Sequence, residues 1–505
     1  MRVTGTVPLP LSESIHPAIH ERMVAQQLAL AYYVLTYMHH KPAQKGRADQ
    51  GRDMARLVNA GARLDRLPIS SFHKRIFFLI GAGMFFDGYD LYVGTNVLGA
   101  VVQTKFATLD QVPQFISLTF LGLTIGSLLT GFIGDRYGRR FTYQFNLMIF
   151  GLASLAAAFA PDMMTLNILR FIMGLGLGAE IVVGYSTMTE FVPPDTRGRW
   201  LAFMSFVVVF GLPATALLGY LIIPNYGWRP MFVICGLGSL VVWYLRRSLP
   251  ESPRWLETQG RTAEAEALMQ AIEKEVATAA PLPPPTPAAP IPSFSVSSLL
   301  GPSLLPSMVV GSVALIMINT LIFGFVQWLP TFFAQEGLSI TKSFGYTLVI
   351  ITGSPIGCAI GAFGCDYFGR KPSLITAALA TIALGAIYPF MHEATALLTV
   401  GFLLVVAIYV QVAILFGVYT PELFPTEVRL RANGICNTIG RAATIVSPFI
   451  VLALFRNYGV TGVLGLMIGL LIVHIIVLAV WGIEPVNRGL EELETVTPNW
   501  APIRP

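Results

Sequence analysis

Charge is what this chain has least of. Asp, Glu, Lys and Arg make up 12% of its 505 residues, against about 25% in soluble domains, while 54% are hydrophobic. So little polar surface cannot cover a soluble protein of this size, which excludes a cytosolic enzyme and leaves a chain whose surface faces lipid. Cysteine is also sparse. Cys235, Cys358, Cys365 and Cys436 lie in or beside apolar stretches without a CxxC pair, which excludes a disulfide framework and a zinc site. The net charge of +5 comes from short Lys and Arg clusters between apolar runs, so no basic face exists for nucleic acid. No paired nucleophile and base, and no metal-ligand spacing, supports an enzyme.

What the chain does have is long apolar runs. A helix crossing about 30 Å of hydrocarbon needs about 20 mostly apolar residues. Twelve such runs occur, at 75–101, 112–134, 140–160, 163–190, 200–223 and 228–248, then 304–334, 343–365, 372–391, 395–420, 431–455 and 460–482. They predict an all-α membrane protein of twelve transmembrane helices in two six-helix bundles. The chain divides into a tail (1–72), a first bundle (73–248), a central loop (249–303), a second bundle (304–484) and a C-terminal tail (485–505). Nine basic residues follow the second, fourth, eighth and tenth spans: Arg136, Arg139, Arg140, Arg197, Arg199, Arg370, Lys371, Arg429 and Arg431. The positive-inside rule then places both termini and the central loop in the cytoplasm of an inner (plasma) membrane protein.

The central loop reads in two parts. Residues 262–279 suit an amphipathic helix, and the Pro-rich 281–293 suits a semi-rigid polyproline II tether. The N-terminal 72 residues lack the form of a signal peptide and read as a dispensable tail. Met54 fits a natural start, an expectation that detection of residues 1–53 by N-terminal mass spectrometry would overturn.

The two halves repeat. Glu190, Pro193, Asp195, Arg197 and Arg199 follow the fourth span, and Glu422, Pro425, Glu427, Arg429 and Arg431 follow the tenth, offset by 232. Gly131 to Arg140 follows the second span, and Asp366, Gly369, Arg370 and Lys371 follow the eighth, offset by 231. Two matches at nearly one offset indicate a duplicated six-helix unit, arranged as parallel repeats about an axis along the membrane normal.

Together these residues resemble the major facilitator superfamily over about 73–492. Gly131 to Arg140 resembles its loop motif in full; in the second copy Ala362 replaces the first glycine. Arg170 to Gly174 resembles the fourth-helix motif. Pro250 to Leu256 and Glu484 to Glu492 resemble signatures after the sixth and twelfth helices of the sugar-porter and related symporter branches. The resemblance implies alternating access and a gating set of Gly131, Asp135, Gly138, Arg139, Glu190, Arg197, Asp366, Arg370, Glu422 and Arg429. Within it, Asp135 is expected against the positive end of the eleventh helix, Glu190 beside Arg197, and Glu422 beside Arg429.

Charges inside spans cost about 2.5–3.5 kcal/mol each on insertion scales and persist where they face a wet or paired site. The first span carries Asp87 and Asp90, three apart and so on one helix face. Twelve residues at about 1.5 Å put Asp87 about 18 Å from the start of its span, near the midplane. Two adjacent carboxylates do not both ionise easily, which suits a proton carrier. Arg170 and Glu180 join them from the fourth span. Arg441, roughly 16 Å into the eleventh span, offers a permanently charged planar fork suited to a carboxylate, either a substrate's or another span's. Tyr185, Asn319, Gln327, Trp328, Tyr409 and Gln411 complete a predicted midplane cavity. The glycine row Gly174, Gly176 and Gly178 lies in an apolar helix and reads as close helix packing.

Asp87-Gly-Tyr-Asp90 resembles the Asp-Gly-x-Asp of aromatic-acid:proton symporters, and Glu180 looks more like the metabolite:proton symporters. The Gln-rich seventh helix of hexose porters and the Gly-Pro-x-x-Gly-Gly run of drug antiporters are both missing. The resemblance therefore implies proton-coupled uptake of a small organic anion such as an aromatic carboxylate, with the proton as coupling ion, no other cofactor, and a monomer in the bilayer. The alternatives are a sugar or polyol symporter or uniporter of the same fold, and a non-transporting membrane sensor.

Overall fold

A computed structural model of the protein describes residues 58–277, 301, 304–424 and 426–484; within these, the side chains of residues 131, 132, 135, 194, 195, 202, 366 and 426–431 lie outside the description. The described elements are helices, with no strand among them. Hydrocarbon offers no partner for a bare N–H or C=O, so each span satisfies its own backbone by coiling.

The first six spans are Ser71–Gln103, Val112–Tyr137, Arg139–Ala157, Met163–Phe191, Pro194–Tyr226 and Arg229–Leu245. The seventh is Leu305–Gly324 continued by Leu329–Gln335, and the eighth is Ile340–Ile351 continued by Gly353–Phe368. The ninth is Arg370–Ile387, and the tenth is Ala394–Ile414, continued through a π-helical turn to Glu422. The eleventh and twelfth share one stretch, Thr426–Trp481, broken at Gly459 with φ 63°. Ten helical stretches are long and apolar enough to cross a membrane, the last of which contains both final spans. The third span completes the twelve. Its 19 residues are the least apolar because Thr142, Asn146 and Ser154 are buried against neighbouring helices.

Outward faces carry large exposed apolar side chains, among them Phe203, Phe206 and Phe210 of the fifth span, as lipid contact requires. Inward faces pack through small residues. Gly174 and Gly178 of the fourth span lie on the backbone of Thr119 and Leu123 in the second, and Gly122 and Gly126 of the second lie on Phe171 and Leu175. That mutual approach fixes the fourth span, and Arg170 on it, against the second.

Cross-half contacts gather toward the loop face opposite the Arg-rich motifs. Gln327 and Pro330 of the seventh span sit against Gly94 and Gly99 of the first, and Tyr220 of the fifth sits against Gly345 of the eighth. The Ser117 hydroxyl donates to the Ile445 carbonyl at 2.6 Å, and Arg456 pairs with Asp110 at 2.6 Å.

A second, smaller core lies on the Arg-rich face. The helix Thr262–Ala277 buries Ala265, Met269, Ile272 and Val276 on one stripe, as its amphipathic pattern predicts. Contrary to the reading of residues 1–72 as a bare tail, residues 58–70 are part of this core. The short helix Ala60–Asp65 buries Ala60, Ala62 and Leu64. The Glu257 carboxylate accepts from the N–H groups of Asn59 and Ala60 at 2.9 Å each, and Arg63 and Arg66 reach Glu273 at 2.7 and 2.6 Å. The Pro-rich segment 281–293 and residues 1–57 lie outside the described residues.

Candidate functional site

The first span supplies two carboxylates on a face turned by its own glycine. Gly88 packs directly on Val208 and Gly211 of the fifth span, which leaves Asp87 and Asp90 facing the fourth and sixth. There Arg170 Nη1 donates to both Asp90 carboxylate oxygens, at 2.7 and 2.8 Å, and its Nε donates to the Thr119 hydroxyl at 3.1 Å. The guanidinium lies 4.7 Å from the Phe115 ring centroid. Both partners are fully buried, at 1% and 0% exposure. Such a pair is costly to desolvate, and removing one partner strands the other charge.

Toward the Arg-rich face, ten residues along the fourth span from Arg170, stands a second pair. Arg246, in the turn after the sixth span, bonds the Glu180 carboxylate and donates to the carbonyls of Leu79 and Ile80 at 2.8 Å each. It lies 4.9 Å from the Tyr143 ring centroid. Gly83 leaves the room that this guanidinium occupies; a Cβ there would strike it. Asp87 lies between the two pairs, 1% exposed, and neither of its oxygens has a hydrogen-bond partner among the described residues. Sequence reading missed Arg246, because an arginine at a helix end looks like a topology charge.

Arg441 is only partly buried. Among the described residues its hydrogen bond runs from Nη1 to the Ser127 hydroxyl of the second span at 3.2 Å. Asn319 donates within its own helix to the Leu315 carbonyl at 2.7 Å and lies against Gly440, next to Arg441. Gln327 and Trp328 are buried at the seam between the halves, where Gln327 Oε1 and Trp328 Nε1 lack partners among the described residues. Tyr92 stacks on Phe323 at 6.4 Å, and Phe323 meets Phe120 edge-on at 4.4 Å, so aromatic faces from both halves meet at the centre. Tyr409 is fully buried beside Gly357 of the eighth span. Two members of the predicted cavity lie elsewhere. Gln411 is turned to the ninth span, where it donates to Thr381 at 2.9 Å, and Tyr185 bonds Ser205 at 2.8 Å and packs against the smaller core.

The loop motifs form matched clusters, in which Glu190 has a partner other than the one expected. Glu190 pairs with Arg139 at 3.0 Å rather than with Arg197, and Glu422 pairs with Arg370 at 3.2 Å. Arg197 instead reaches Asp65 at 3.1 Å, which Arg254 also holds, at 2.6 Å. Local spacing favoured Arg197 as the partner of Glu190, but the third span begins directly beside the end of the fourth. Gly138 and Gly369 both have φ 91°, a conformation open to glycine. Each lets a carboxylate cap the following span: Glu251 accepts from the N–H of Arg139 at 2.9 Å, and Glu484 accepts from Arg370 and Lys371 at 3.0 and 2.8 Å. Negative charge at a helix N-terminus is stabilising, although burial leaves the Glu251 carboxyl above its ordinary range. The surroundings of Gly131 and the side chains of Asp135, Asp366 and Arg429 lie outside the description.

A duplicated six-helix bundle, the same carboxylate cap closing the same turn in each half, and ion pairs buried among the spans of the first half are the parts of a transporter of the major facilitator superfamily. Within it, the chain belongs to the sugar (and other) transporter family, which matches residues 77–497. It is 36% identical over 448 residues to the inner membrane metabolite transport protein YdjE of Escherichia coli, covering 86% of this chain and 98% of that protein. It is 28% identical over 400 residues to the niacin transporter NiaP of Acinetobacter baylyi, covering 77% and 89%. Its fold resembles a partially occluded inward-open structure of the xylose transporter XylE from E. coli, with a TM-score of 0.64 at 19% identity, covering 82% and 99%.

Proposed function

We propose that the protein takes up a small organic anion, an aromatic carboxylate of the nicotinate or 4-hydroxybenzoate kind, together with a proton, by alternating access of its two halves. The observation that carries this reading is Arg441, a permanent cation at mid-span depth whose described hydrogen bond is to a neutral hydroxyl of the opposite half. A cation without a carboxylate partner among the described residues suits a substrate carboxylate, and the ring cluster of Tyr92, Phe120 and Phe323 suits an aromatic body. The niacin transporter relative supports the same class. The buried acids of the first span supply proton coupling. The gating clusters lie on the cytoplasmic face, where the Lys and Arg excess puts them, and the contacts at the opposite face close the outer side. In this reading the protein works as a monomer in the inner membrane, with both termini in the cytoplasm.

Uptake of labelled nicotinate and 4-hydroxybenzoate into proteoliposomes under an imposed inward proton gradient tests the reading. Arg441→Gln is expected to raise the apparent KM at least tenfold. Transport of xylose or another neutral sugar, with neither acid moved, would transfer the assignment to sugar symport.

A further inference from the structure

We propose that Asp87, rather than the ion-paired Asp90, is the carboxylate that carries the coupling proton, and that Arg246 assigns it this role by holding Glu180. The inference deepens the proposed function and rests on it. Its basis is the charge balance of the buried cluster. Three carboxylates, Asp87, Asp90 and Glu180, share the interior of the first half with two guanidinium groups, Arg170 and Arg246, each of them about 1% exposed or less. Both guanidiniums are committed: Arg170 to the two oxygens of Asp90, Arg246 to Glu180. A guanidinium does not give up its charge, so each can balance one carboxylate, the one it is bonded to. An ionised Asp87 would be a surplus buried anion.

Among the described residues, the surroundings of Asp87 offer it no other cation. Asp90 neighbours it on its own span, Glu180 faces it from the fourth, and Arg246 is the charge that reaches it from beyond the sixth. Cys235 of the sixth span lies 3.9 Å from Asp90, Tyr143 of the third lies under Arg246, and the fifth span presents Gly211 and the Val208 backbone to Gly88. With both its oxygens unpartnered among the described residues, Asp87 balances the cluster by holding a proton. It binds that proton from water on one side and returns it to water on the other once rearrangement brings solvent or Arg246 to the carboxylate. One surplus acid means one proton per cycle. For a monoanionic substrate, that cycle is electroneutral.

The test uses the whole protein in liposomes with labelled 4-hydroxybenzoate, a monoanion at neutral pH. The wild type is expected to accumulate it under a pH gradient, and not under a potassium-diffusion potential of equal size. Asp87→Asn is expected to lose at least tenfold in accumulation while substrate exchange persists and no longer varies with pH. Accumulation driven by the potential alone, or full accumulation by Asp87→Asn, overturns the assignment. Should Asp87→Asn not fold, Arg246→Gln creates a second surplus carboxylate and is expected to move the pH profile of exchange upward, with Arg246→Lys restoring it; an unmoved profile overturns the assignment equally. Absence of exchange by the wild type across nicotinate and 4-hydroxybenzoate overturns the proposed function, and this assignment with it.

Discussion

Removing one member of a sealed ion pair leaves the other without water or counter-charge. Arg170→Gln is therefore expected to destabilise the protein by about 3–5 kcal/mol, seen as a lower melting temperature in detergent. The double variant with Asp90→Asn should recover part of that loss, because no charge is then stranded. Backbone conformation sets a different cost at Gly138 and Gly369. Both occupy a region of φ and ψ that a side chain enters only at about 1–3 kcal/mol. At Gly138 an added Cβ would also collide with the Glu251 carboxylate, whereas at Gly369 the nearest Glu484 oxygen would be 3.2 Å away. Gly138→Ala is expected to cost more than Gly369→Ala, as thermal melts of the two variants would measure. Single residues stood out in the sequence where the chemistry was unusual for its setting, as with the mid-span Asp90 and Arg170 that the structure pairs. Arg246 did not stand out, because it sits where arginines are common. The three in-span acids of the first half set against Arg170 alone were a signal that another cation had to approach.

Among elements, the spans were legible because about 20 apolar residues in a row have few alternatives, and the stripe of Ala265, Met269, Ile272 and Val276 was legible by its period. The short helix Ala60–Asp65 was not, since six residues carry too little pattern and its stability comes from partners some 200 residues away. Those partners make it sensitive to acid. The hydrogen bond from Arg63, aided by Arg66, holds the Glu273 carboxyl below its ordinary range. The docking it contributes is then complete above the ordinary glutamate value of about 4.3, and is lost as pH falls through the lower folded value. Hydrogen exchange of residues 262–277 is expected to accelerate over that acidic window in the wild type, and Glu273→Gln should exchange faster with no such pH dependence.

At the scale of the whole molecule, the repeat in the sequence announced two similar halves, but how they meet is written in side-chain shape. Gly94 and Gly99 exist to admit Gln327 and Pro330. A bulky residue at Gly99, whose near neighbours Pro330 and Phe344 both belong to the second half, would hold that face apart. Gly99→Leu is expected to reduce uptake below a tenth of the wild-type rate while the melting temperature stays within a few degrees, since each half keeps its own core. A variant that transports normally would show that this face need not close.

The capped turns also bear on ancestry. Arg139, Glu190 and Glu251 in the first half correspond to Arg370, Glu422 and Glu484 in the second, residue for residue and with the same contacts. Contacts shared at that level of detail predate the duplication. The unit that was doubled therefore already possessed this fastening, and it would have operated as a pair of identical six-helix chains. The unequal features of the modern halves, the acid cluster in one and Arg441 in the other, are what a single fused gene later allowed to diverge.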